Sequence, residues 1–131
     1  MDESLSTIRR RYPAADAYGE LGLAVEVEER DEITLVRARG VIDFWNVGPL
    51  QEQLHDALQV DPARLVLDLR DVSFVDSTGL GLLLSVQDRA ASEDGWLRLA
   101  GPNPLVRRLL RATELDRRLP VYPTVAAAAA A

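Results

Sequence analysis

Residues 71–84 read DVSFVDSTGLGLLL. An apolar run enters a short polar knot, Asp76-Ser77-Thr78-Gly79, and a longer apolar run leaves it. Two hydroxyls beside a carboxylate admit three kinds of chemistry. A side-chain oxygen can accept a backbone N–H and start a helix. A hydroxyl can take up a phosphoryl group, which puts a doubly charged anion at that point of the surface. Or it can attack a carbonyl, which needs a base held beside it. The third has least support. Ser77 does not lie in G-x-S-x-G, the single histidine, His55, falls on the polar side of a helical pattern, and there is no cysteine. Gly79-x-Gly81 is not G-x-G-x-x-G and no GxxxxGK[ST] string occurs, so nucleotide chemistry has no motif either. Asp43, Asp68, Asp71 and Asp76 could gather at one edge as hard-cation ligands, but exposed acids at loop and helix starts are the simpler reading. No metal or cofactor is assigned. Taken alone, an Asp-Ser-Thr triplet before a helix is most often only a cap.

The elements around the knot decide what it can reach. LAVEVEE (23–29) alternates apolar and acidic, and ITLVRARG (33–40) is β-branched and apolar. They predict two strands joined by a charged hairpin tip, 29–32. Val47, Leu50, Leu54, Ala57 and Leu58 recur at helical spacing, with Asn46 placed to cap that helix. RLVLDLR (64–70) is nearly continuous apolar, the mark of a strand covered on both faces. A second helix follows the knot. Then come a strand at WLRLAG (96–101), a helix opened by Asn103-Pro104, and a short edge strand at LPVY (119–122). Thr124 can cap a last helix through Ala126–Ala131, to which no role is assigned. Alternation after the first hairpin predicts a single α/β domain with a mixed, mostly parallel sheet of four to five strands and about four helices. Residues 1–20 are expected to be a mobile N-terminal extension, and residues 21–131 the domain. In such a sheet the loops that follow the strands emerge at one edge. Three segments should meet there: Asp43-Phe44-Trp45-Asn46, Asp76-Ser77-Thr78-Gly79 and Gly101-Pro102-Asn103. Ser77 is then exposed at or beside a helix cap, where added negative charge is tolerated.

The bulk numbers agree with one domain. The chain has 131 residues, 47% of them apolar, and a formal net charge of −6. Nucleic acid and anionic membrane both want a basic face, so neither is an expected partner. No apolar run approaches membrane-spanning length. A soluble cytoplasmic protein is expected. All 15 cationic residues are arginine, a bias of GC-rich bacterial genomes.

The longer string DLRDVSFVDSTGLGLLL resembles the signature of the STAS family, specifically the bacterial anti-sigma factor antagonists. GVIDFWNVGPLQEQLHDAL is similar to the family's G-x-[LI]-D segment and following helix, and WLRLAGPNPLVRRLLRATELDRRLPVYPTV to its C-terminal strand, helix and final strand. The resemblance covers about residues 21–125. It implies a non-enzymatic, partner-switching regulator of transcription. In that family an anti-sigma factor that is a serine kinase phosphorylates the antagonist at the position of Ser77. The unphosphorylated form binds the kinase and frees a sigma factor, and a serine phosphatase resets the switch. Asp43, Asp76, Thr78, Gly79 and Leu80 match positions of the docking surface, and Thr78 is a second hydroxyl beside the acceptor. Phe44 and Trp45 depart from the family's small or polar residues. They either anchor a partner, or one closes the core while the other covers a helix. The alternative is a structural STAS subunit, never phosphorylated, of a transport or stress-signalling assembly.

Overall fold

The computed structural model describes residues 22–131 in full and, before them, the backbone of Thr7–Arg11. Alternation sets the first hairpin. In β2 (Leu23–Arg30), Leu23, Val25 and Val27 turn to the core, and β3 (Ile33–Ile42) pairs antiparallel with it through Arg30↔Ile33. The turn between them is only Asp31-Glu32, with Asp31 at φ 54°, a region Asp tolerates. The backbone of Thr7–Arg11 forms β1, antiparallel to β2 at the sheet edge. No strand is expected there from the sequence. The rest of the proposed mobile extension lies outside the described residues.

Three parallel pairings complete a sheet ordered β1-β2-β3-β4-β5-β6, with β4 at Arg64–Val75, β5 at Trp96–Ala100 and β6 at Val121–Tyr122. Helices α1 (Val47–Ala57), α2 (Ser77–Ala91) and α3 (Pro104–Ala112) connect successive parallel strands, and a single 3-10 turn, Leu115–Arg117, precedes β6. Leu50 and Leu54 of α1, Leu83 and Val86 of α2 and Val106 and Leu110 of α3 share one core with Leu65, Leu67, Leu69, Leu97 and Leu99 of the sheet. The sheet therefore runs to six strands where four to five are expected, the extra one being β1.

The opposite face is built differently. Leu35, Val66 and Ala100 are covered there by Ala128 of α4 (Val125–Ala130), with Ile33, Trp96, Tyr122 and Val125 around them. Thr124 caps α4 by accepting the Ala127 N–H at 3.0 Å. The alanine run thus has a packing role that the sequence does not assign it. Further along this face the sheet carries charge: Arg37 reaches Glu26 at 3.4 Å, Glu28 at 3.1 Å and Asp68 at 3.5 Å. Glu28 and Asp68 are buried.

β4 is longer than expected. The predicted strand stops at Arg70, yet pairing with β3 continues through Arg39↔Asp71, Gly40↔Val72, Val41↔Phe74 and Ile42↔Val75. Register shifts at Arg37/Arg39 and Gly40/Val41 break the alternation that would have betrayed it. Gly40 sits at φ 114°, and a Cβ there would lie 2.0 Å from the Gly22 carbonyl oxygen, so only glycine fits. Among the described residues no helix is long and apolar enough to cross a membrane.

Candidate functional site

The knot begins where β4 ends. Asp76 is extended, at φ −88° and ψ −176°, and caps α2: its Oδ1 accepts the Gly79 N–H at 3.0 Å. Its main chain fixes the junction as well. The Asp76 N–H donates to the Ile42 carbonyl at 3.0 Å, and the Asp76 carbonyl accepts the Leu80 N–H at 2.9 Å. Ser77 is the first helical residue, not the cap. It is exposed, and its hydroxyl makes no hydrogen bond among the described residues. The capping explanation for the triplet is met by Asp76 alone, which leaves the Ser77 hydroxyl without a structural duty.

Asp76 also reaches across to the first loop. Its Oδ2 accepts the Phe44 N–H at 3.0 Å. That loop is closed on itself by two short polar side chains. Asp43 Oδ1 accepts the N–H groups of Trp45 (2.9 Å) and Asn46 (3.1 Å). Asn46 Oδ1 accepts the Asp43 N–H at 2.9 Å, and Asn46 Nδ2 donates to the Val41 carbonyl at 2.7 Å. Asn46 stands at the cap position of α1 but makes no side-chain cap bond, because its amide is turned back into the loop and buried. Its role there was missed in the sequence, since the same residue type serves both purposes.

The rings carried by this loop point outward. Phe44 is 64% and Trp45 84% exposed, packed edge to face on each other with centroids 5.2 Å apart. Neither closes the core. Asp43, Phe44, Trp45, Asp76 and Ser77 are thus brought together at one sheet edge. Thr78 is partly covered. Gly79 and Leu80, expected on the docking surface, are both buried, and Leu80 belongs to the core. Gly79 is there because the helix comes down closely on the sheet. A Cβ on it would meet Val75 Cγ1 at 2.6 Å and Ile42 Cγ2 at 2.7 Å. Gly81 has open space around it, so close packing does not explain that glycine. Phe74, two residues before Asp76, adds a further exposed ring that bulged β4 hides from a sequence reading.

The third loop reaches the same edge at a different point. Asn103 Oδ1 caps α3 by accepting the Val106 N–H at 2.8 Å, and its Nδ2 donates to the Val72 carbonyl at 3.0 Å. It touches the end of β4 rather than the knot. Of the four aspartates considered together, Asp68 and Asp71 are held elsewhere, by Arg37 and Arg70 and by Arg39. His55 is exposed on α1.

A family model described as the STAS domain matches residues 24–128. The chain is 29% identical over 103 residues to an anti-sigma F factor antagonist of Paenibacillus polymyxa, covering 78% of this chain and 88% of that one. It is 30% identical over 95 residues to an anti-sigma-B factor antagonist of Staphylococcus aureus, covering 72% and 88%. The crystal structure of an anti-sigma factor antagonist from Mycobacterium paratuberculosis superposes with a TM-score of 0.75 at 29% identity, over 82% of this chain and 92% of that one.

Proposed function

The chain belongs to the STAS family, and from that premise we propose that it is an anti-sigma factor antagonist, a partner-switching regulator rather than an enzyme. Unphosphorylated, it binds an anti-sigma factor that is a serine kinase and so frees a sigma factor. The kinase transfers the γ-phosphoryl group of ATP to Ser77 Oγ; the hydroxyl proton leaves and ADP is released. A serine phosphatase hydrolyses the ester and restores the binding form. The observation that carries this reading is the exposed Ser77 hydroxyl at the first turn of α2, relieved of capping by Asp76.

The electrostatics favour a switch that works without refolding. A phosphate on Ser77 adds about −1.5 to −2 charges. The helix N-terminus tolerates that charge. Asp76 is its immediate neighbour, and the loop that holds Asp43 is bonded to Asp76. The edge therefore becomes strongly anionic, and the Phe44–Trp45 pair stands beside that charge. A partner that buries the rings must also desolvate the dianion, which is unfavourable without a paired cation.

The test is site-mapped phosphorylation by mass spectrometry on protein taken from its native cells in growth and in stress. Phosphate on Ser77 whose occupancy changes with condition supports the switch. No phosphate under any condition overturns it and leaves a structural STAS subunit as the reading.

A further inference from the structure

Among the residues whose side chains the structure describes, 22–131, every arginine outside α3 has a partner. Each pairs with a carboxylate, apart from Arg98, whose guanidinium lies 3.6 Å from the Trp96 ring centroid and donates to the Ala128 carbonyl. Arg107, Arg108 and Arg111 have none, and all three are exposed. They are also close together. Residues three and four apart are neighbours on a helix surface, so Arg111 stands beside both Arg107 and Arg108. α3 reads PLVRRLLRA and holds no acid to offset them. Like charges at these spacings work against the helix that carries them.

With Pro102, Pro104 and Ala112 these arginines line a shallow groove of about 640 Å³. The groove has an apolar floor and a cationic rim on a chain whose net charge is −6. A long polyanion such as nucleic acid would gain three arginines and meet an acidic molecule around them. An acidic protein segment brings a few carboxylates, which guanidinium forks bind in two-pronged fashion. Its aliphatic stems suit the Pro and Ala floor. We infer that the α3 groove docks an acidic segment of a partner protein, with Arg107, Arg108 and Arg111 clamping its carboxylates. Two of the groove's lining residues, Pro102 and Pro104, flank Asn103, which bonds to the end of β4.

The test is fluorescence anisotropy of the full chain with a short labelled peptide rich in Glu and Asp, at low and at raised ionic strength. Wild type binds, and binding weakens as salt is added. Arg107→Gln/Arg108→Gln/Arg111→Gln together lower the affinity roughly tenfold or more, as the loss of three partly solvated pairs. Arg89→Gln on α2 leaves it unchanged. Three outcomes overturn the inference: no binding by wild type, equal binding by the triple variant, or equally tight binding of single-stranded DNA through the same arginines. If the triple variant fails to fold, amide NMR shifts of wild type on titration replace it; shifts confined to elements other than α3 then overturn the inference.

Discussion

Asp76 holds the backbone of Phe44 across 32 residues of sequence: its Oδ2 accepts the Phe44 N–H at 3.0 Å while its Oδ1 caps α2 at Gly79. One carboxylate thus fixes both the helix that presents Ser77 and the loop that presents the aromatic pair. Asp76→Ala should lose both bonds and cost about 1–2 kcal/mol. Asp76→Asn keeps one acceptor oxygen for the cap but its amide nitrogen cannot accept from Phe44. It should unfold at nearly the wild-type denaturant concentration while the Phe44 amide exchanges faster with solvent. Equal protection of that amide in wild type and Asp76→Asn would count against the link.

The two glycines near the start of α2 should respond in opposite directions. Gly79→Ala pushes a methyl group into Val75 and Ile42, buried β-branched residues that cannot turn away. A loss of about 1–3 kcal/mol follows. Gly81→Ala meets nothing and lies inside α2, so it should gain about 0.5–1 kcal/mol. Thermal denaturation of the two variants checks both signs.

Trp45→Ala separates folding from docking. The ring is exposed, so stability should change by no more than about 0.5 kcal/mol. If the ring is a binding anchor, affinity for the cognate kinase should fall by about 2 kcal/mol or more. Calorimetric titration decides, and an unchanged affinity would remove Trp45 from the docking surface.

Ser77→Ala should fold normally, since no hydrogen bond is lost, and on the proposed switch it should bind the kinase permanently because it has no acceptor to phosphorylate. Ser77→Asp carries part of the phosphate's charge and should bind more weakly at unchanged stability. Wild-type affinity in the Asp variant would argue that charge is not the mechanism.

Arg37→Ala removes the cation shared by Glu26, Glu28 and Asp68 on the second sheet face. Arg30 remains on Glu28 and Arg70 on Asp68, so the loss should be about 2 kcal/mol rather than that of a fully stranded buried charge. Urea denaturation measures it.

The parts of the fold legible in the sequence are those where burial writes a period. Leu65 through Leu69 are buried without a break, as a strand covered on both faces requires. Leu50, Leu54 and Ala57 mark the inner side of α1. What escaped is where that period fails. Ser73 and Phe74 are both exposed between buried Val72 and Val75, so the bulge conceals the end of β4. Alanine carries no amphipathic signal, so the run through α4 says nothing of which side Ala128 will bury. At the site, the clustering of Asp43, Asp76 and Ser77 follows from topology and was readable. That Asp76 caps, that Asn46 does not, and that Leu80 turns inward depend on side-chain directions at a junction, where single-residue offsets decide.

The loop from Asp43 to Asn46 is already ordered in the isolated chain by the bonds that Asp43, Asn46 and Asp76 make to its backbone. A partner that docks on the two rings, as proposed, would find them preorganised and would not have to supply the entropy of arranging that loop. Loosening the loop would lower affinity without removing a single contact atom. Differences in affinity among loop variants should then show mainly in how long the complex lasts, and little in how fast it forms.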